Sequence, residues 1–198
     1  NHTNGQYGHQ HDFHKFASWY DVVSLSLPRA LARAEYRTAR IGKYHVAPEE
    51  VYHFETVLQG NPRNAVQMAD ASAEFINSKS EKPFFLYVAY NAPHDPLMAW
   101  PEDIARHRGK YIEGWQATRQ ARFKRQVEMG LFPADLQLSD PEFGDWDSLS
   151  KTQKQQEDLR MAVYAAMVDR LDQNIGKLID KLTELGELDN TLILFASD

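Results

Sequence analysis

The chain has 198 residues, 42% of them hydrophobic and 25% charged, with a formal net charge of −6. That composition suits a globular chain with a sizeable core, and its acidic balance argues against nucleic acid as the main partner, because phosphate binding needs a basic face. The absence of cysteine excludes disulfides and thiolate metal sites from this stretch, and no apolar run is long enough to span a bilayer as a helix.

Residues 1–16 are rich in His, Gly and Asn and read as loop. Ser26 stands where it would cap a helix, with Pro28 in the first turn and Leu27, Leu31 and Ala34 on one side. Residues 37–41 read as a short strand, followed by Gly42. Asn61-Pro62 signals the next helix start. Val66, Ala69, Ala73 and Ile76 then recur at helical spacing, and the pattern stops at about Asn77. The continuous apolar and aromatic run 84–90 predicts a strand buried on both faces.

Residues 100–150 are polar, with scattered aromatics and several prolines, and suggest helical pieces and loops covering a sheet. Residues 160–185 carry the strongest helix. Val163, Met167, Leu171, Ile175, Leu178, Leu182 and Leu185 form one apolar stripe, and Gly186 fits the C-cap. Residues 191–196 predict a second buried strand. Helices alternating with apolar strands predict an α/β fold with a mainly parallel central sheet flanked by helices. Asn1 and Asp198 both adjoin sequence that reads as ordered, so the expectation is an internal part of one larger domain.

Three strand-like runs each lead into polar residues suited to catalysis. Residues 37–41 lead to Lys43 and His45, residues 84–90 to His94 and Asp95, and residues 191–196 to Ser197 and Asp198. Ligands of open α/β sheets bind outside the carboxyl ends of the strands. A cation, two imidazoles and a carboxylate at one sheet edge suit an anionic substrate: Lys for charge, His for proton transfer, Asp for a hard metal ion. Singly, such residues are solvated loop residues or helix caps; together at three strand ends they favour function. His9, His11 and His14 lack a metal-ligand spacing and are placed in a loop that could line a pocket. Arg119, Arg122, Lys124 and Arg125 read as a solvated helix face. Asn1-His2-Thr3 matches a glycosylation sequon, a triplet common by chance.

Gly42-Lys43-Tyr44-His45 resembles the G-K-x-H element of type I sulfatases. The stretch from Pro83-Phe84-Phe85-Leu86-Tyr87 to Pro93-His94-Asp95-Pro96 resembles their strand ending in a histidine followed by proline. Residues 164–176 resemble the long helix before their second metal motif, and the stretch from Leu188 to Ser197-Asp198 looks like the start of their S-D-N-G metal element. The ordered set covers nearly the whole chain. The opening from Asn4-Gly5 and the stretch His45–Tyr52 look like N-sulfoglucosamine sulfohydrolases (sulfamidases), whereas residues 109–135 and the helix at Tyr164 look more like arylsulfatases.

The resemblance implies an alkaline-phosphatase-like α/β fold, of which 1–198 would be an internal part of a single catalytic domain, truncated at both ends. It implies hydrolysis of sulfate esters or N-sulfate groups of a sulfated small molecule or glycan. It implies a divalent cation, calcium first and magnesium second, and a formylglycine made from an upstream Cys or Ser by a sulfatase-maturing enzyme. Lys43 would bind the sulfate. His45 would act as general base, and His94 would bind the sulfate and protonate the leaving atom. Asp198 would ligate the metal. A fragment lacking the nucleophile would be inactive. The resemblance implies a periplasmic, secreted or lysosomal place. Two other readings stay open: a phosphonate or phosphate monoester hydrolase of the same superfamily, and a catalytically dead relative that binds sulfated glycans.

Overall fold

The computed structural model describes residues 26–44 and 52–196. The chain divides into two compact units, residues 1–92 with 171–198, and residues 93–170.

The first unit is built on a three-stranded parallel sheet. Its strands are β1 (Arg37–Gly42), β2 (Thr56–Val57) and β3 (Phe84–Ala89), in the order β2-β1-β3. β1 and β3 pair over their whole lengths, from Arg37 opposite Phe84 to Gly42 opposite Ala89. Two helices pack on this sheet. Helix α1 (Leu27–Arg33) follows Ser26 with Pro28 in its first turn, although the Ser26 side chain makes no capping bond. Helix α2 (Ala65–Asn77) connects β2 to β3, which flank β1 on opposite sides. It begins three residues after Asn61-Pro62's expected helical turn would start, because Asn61 and Asn64 act in sequence. Asn61 Oδ1 accepts from Arg63 N at 3.0 Å, forming a turn, and Asn64 Oδ1 then caps the helix by accepting from Gln67 N at 3.2 Å. The helix stops at Asn77, as its periodicity predicts.

The core of this unit holds Ala39, Ile41, Tyr52, Phe54, Met68, Ala69, Phe75 and Ile76, all buried. The alternation of β3 places Phe84 edge-on to Phe75 of α2, while Phe85 and Tyr87 stack on Phe54 across the other face. All six residues of β3 are half-buried, which corrects the expectation of a strand buried on both faces. The reason is position: among the described residues β3 ends the sheet order and has one ladder neighbour.

The expected strand at 191–196 also needs correction. Among the described residues this run pairs with no strand, and Leu192 and Leu194 are each 84% exposed. Apolar side chains give a strand its preference, but a neighbouring backbone makes it, and none of the three strands supplies one.

Helix α5 (Lys151–Glu184) runs through both units. It starts nine residues before the expected Arg160, because Ser150 and Gln153 form a capping box: Ser150 N donates to Gln153 Oε1 at 2.9 Å and Gln153 N to Ser150 Oγ at 3.4 Å. Its first turns are polar, so no apolar stripe announces them. It ends as predicted. Gly186, at φ 73°, donates to Thr183 O and Glu187 donates to Leu182 O, the paired bonds of a Schellman motif. Of the predicted stripe, Met167, Leu171 and Leu182 are buried.

The second unit contains α3 (Pro101–His107), α4 (Trp115–Glu128) and the first part of α5. It buries two carboxylates as well as Ala162 and Ala166. Asp103 is fully buried and takes both Arg170 Nε and Nη2 at 2.7 Å, with Arg106 Nη2 at 2.6 Å. Asp169 Oδ2 receives Arg106 Nη2 and His107 Nε2, each at 3.0 Å. Buried Asp158 accepts from the backbone N–H groups of Gly109 and Tyr111 at 2.9 and 3.0 Å, which fixes the turn after α3. No residue of α4 is buried.

Candidate active site

β1 and β3 are adjacent and parallel, so their carboxyl ends lie side by side, with Gly42 opposite Ala89. Lys43 is the first residue beyond that edge. Its backbone N–H donates to Ala89 O at 2.8 Å, which continues the ladder by one bond past the strand. Gly42 makes this approach sterically accessible. It sits at φ 94°, and a Cβ there would overlap the Ala89 carbonyl oxygen and the Met68 side chain. Both the left-handed backbone and the close contact require glycine. Lys43 is half-buried.

Tyr44 follows. Its ring lies under the Arg40 guanidinium, 3.9 Å from Cζ to the ring centroid, and meets Phe54 edge-on at 6.4 Å. Its hydroxyl donates to the carbonyl oxygen of Tyr52 at 2.9 Å.

Beyond β3, the backbone N–H of Asn91 donates to Pro62 O at 2.9 Å, anchoring the exit of the strand to the turn before α2. Tyr90 stands between. Its hydroxyl is buried without a protein hydrogen-bond partner among the described residues, and burial pushes the phenol up to about 12. His94 lies five residues past the end of β3, is exposed, and belongs to the second unit. Its Nδ1 is 2.8 Å from the carbonyl oxygen of Asp95. A carbonyl only accepts, so Nδ1 carries the hydrogen in this contact and Nε2 is the nitrogen left to exchange a proton with a ligand.

Of the residues singled out by sequence, Lys43 directly follows β1, and His94 follows β3 by five residues in sequence. Lys43 lies in the first unit and His94 in the second. His45, Asp198, His9, His11, His14 and the Asn1-His2-Thr3 triplet lie outside the described residues. Among the described residues no three His, Asp or Glu side chains gather into a group that could hold a metal ion. Arg122, Lys124 and Arg125 are exposed on α4, whereas Arg119 is half-buried and its Nη2 donates to Ser139 O at 2.8 Å. Sequence reasoning missed the Tyr44 attachments. Nothing in the spacing of Arg40, Tyr44 and Tyr52 signals them, because they depend on how the chain turns after β1.

Comparison with known proteins gives a consistent picture. The sulfatase family profile matches residues 3–198. An uncharacterized sulfatase of Schizosaccharomyces pombe is 41% identical over 126 residues, covering 62% of this chain and 23% of that protein. The N-sulphoglucosamine sulphohydrolase of Homo sapiens is 33% identical over 207 residues, covering 100% of this chain and 38% of that protein. The chain therefore spans well under half the length of these relatives. The solved structure of BT4656, in complex with its substrate D-glucosamine-2-N,6-O-disulfate, superposes with a TM-score of 0.59 at 19% identity, over 96% of this chain and 52% of that one. That likeness bears on the fold, and it agrees with the parallel α/β arrangement of the first unit.

Proposed function

Because the chain belongs to the sulfatase family, matched over residues 3–198, we propose that the full-length protein hydrolyses a sulfate ester or N-sulfate group of a sulfated glycan. The observation that carries this reading is Lys43, tied by its N–H to Ala89 at the paired carboxyl ends of β1 and β3. Both units fall within the family match, which supports reading 1–198 as an internal part of one catalytic domain.

In this reading Lys43 holds a sulfate oxygen through charge and hydrogen bonds. Sulfuryl transfer shifts negative charge onto oxygens, so a fixed ammonium favours the transition state over the ground state. His94 gives a proton from Nε2 to the leaving oxygen or nitrogen as its bond to sulfur breaks. Its Nδ1 contact with Asp95 O sets that division of labour. His45 acts as general base at the nucleophile. Asp198 would supply an oxygen ligand to a divalent cation, calcium before magnesium, and such a cation would serve to polarise the sulfate. The nucleophile is a formylglycine installed outside this stretch by a maturing enzyme. Among the described residues no helix is long and apolar enough to cross a membrane. A periplasmic, secreted or lysosomal place is the family's setting.

The N-sulfated class is favoured over simple aryl sulfates because the human N-sulphoglucosamine sulphohydrolase aligns with the whole chain. The test is turnover by the matured full-length protein of glucosamine N-sulfate, 4-methylumbelliferyl sulfate and 4-methylumbelliferyl phosphate. Sulfate release is expected from the first two, with the higher kcat/KM for glucosamine N-sulfate. Turnover of the phosphate alone sinks the sulfatase reading. Replacement of Lys43 or His94 by Ala is expected to lower kcat/KM about 100-fold or more, the scale of a lost proton-transfer or charge-stabilising group.

A further inference from the structure

Lys43 acts at a distance from its backbone, so where its Cα sits decides where its ammonium can reach. One side of that Cα is held by the bond from Lys43 N to Ala89 O at 2.8 Å. The other side passes directly into Tyr44, and Tyr44 is attached three times. Arg40 of β1 covers its ring at 3.9 Å, Phe54 meets the ring edge at 6.4 Å, and Tyr52 O accepts its hydroxyl at 2.9 Å. The last two anchors are buried: Tyr52 and Phe54 are each 2% exposed, and Phe54 is itself stacked on Phe85 and Tyr87 of β3.

We propose that Tyr44 is a positioning residue for Lys43: it clamps the far side of the lysine backbone to β1 and to the Tyr52–Phe54 segment. This rests on the reading of Lys43 given above and extends it to a neighbour that touches no reacting atom. The physical demand is strong. A lysine side chain has several freely rotating bonds, so a mobile backbone would multiply the volume its ammonium explores. Misplacing a catalytic group by about 1 Å costs on the order of 100-fold in rate. The plain alternative is that Tyr44 fills space beside Phe54 and serves stability alone.

A double-mutant cycle in the matured full-length protein separates the two, with 4-methylumbelliferyl sulfate as probe. Tyr44→Leu removes the hydroxyl bond and both ring contacts, and is expected to lower kcat/KM about tenfold, chiefly through kcat. Tyr44→Phe keeps the ring on Arg40 and Phe54 and is expected to lose only about threefold. In a Lys43→Ala background, Tyr44→Leu should add no further loss, because the group being positioned is gone. The same cycle read by calorimetric affinity for inorganic sulfate covers variants too slow to assay. If Tyr44→Leu loses the same factor with and without Lys43, the positioning role is overturned and the Lys43 reading stands. If Lys43→Ala alone keeps full kcat/KM, both fall. Should Tyr44→Leu fail to fold, the cycle run with Tyr44→Phe decides on the same criteria.

Discussion

The two units are held by different physics. The first, with its sheet, is centred on apolar and aromatic side chains: Ile41, Tyr52, Phe54, Met68 and Phe75. The second buries two carboxylates, Asp103 and Asp158, along with the small apolar Ala162 and Ala166, and each carboxylate has its acceptors taken up by arginines or backbone N–H groups. An apolar core is non-directional and accepts any side chain of about the right volume. A buried carboxylate is directional, and it becomes a liability as soon as one partner is removed.

The largest expected effect tests the apolar side of that contrast. Phe54→Ala would leave a cavity against Phe85, Tyr87 and Tyr44, and should destabilise by about 3–5 kcal/mol. Phe54→Leu, which keeps most of the volume, should cost under about 1.5 kcal/mol. Urea midpoints of the full-length variants, with the slope checked for constancy, measure both. If the leucine variant is as damaged as the alanine one, the first unit is not the tolerant core described here.

Asp103 gives the mirror experiment. Asp103→Ala strips Arg170 of its two-pronged partner and Arg106 of one of its two, and is expected to cost about 3 kcal/mol. Asp103→Leu, closer in volume, should recover little of it, because the lost carboxylate bonds of Arg170 and Arg106 set the loss rather than the space. Recovery by leucine to near wild-type stability would erase the distinction between the units.

The same contrast explains what was legible in the sequence. β1, the end of α2 at Asn77 and the Gly186 cap of α5 were readable, since apolar periodicity and glycine carry their own signals. The start of α5 at Lys151 was not, because its capping box of Ser150 and Gln153 precedes polar turns. Nor were Asp103 and Asp158, which look like surface carboxylates until the fold brings arginines and N–H groups to them. Lys43 was legible as the residue that directly follows a strand, because Gly42 marks that strand's end. The clamp on Tyr44 was not, for its partners meet only through the path of the chain after Gly42. The run at 191–196 failed in the opposite sense: the side chains predicted a strand, and the backbone found no neighbour.

The smallest effect lies at the seam between apolar and polar logic, in Tyr90. Its hydroxyl is a polar group in a setting of the first kind, buried and without a protein partner among the described residues. Tyr90→Phe removes that unsatisfied oxygen, so at pH 7 it should be neutral or stabilising, by at most about 1 kcal/mol. Its pH signature is sharper than its magnitude. Burial raises the folded phenol from 10.0 to about 12, so below pH 10 it is neutral in both states and adds no slope. Between pH 10 and 12 the unfolded chain loses the proton first, and stability must fall as pH rises. Thermal midpoints of wild type and Tyr90→Phe at pH 7 and pH 11 test this. The wild-type midpoint should drop further than the variant's on going alkaline. Equal drops would mean that water reaches the Tyr90 hydroxyl and that its burial does not govern its ionisation.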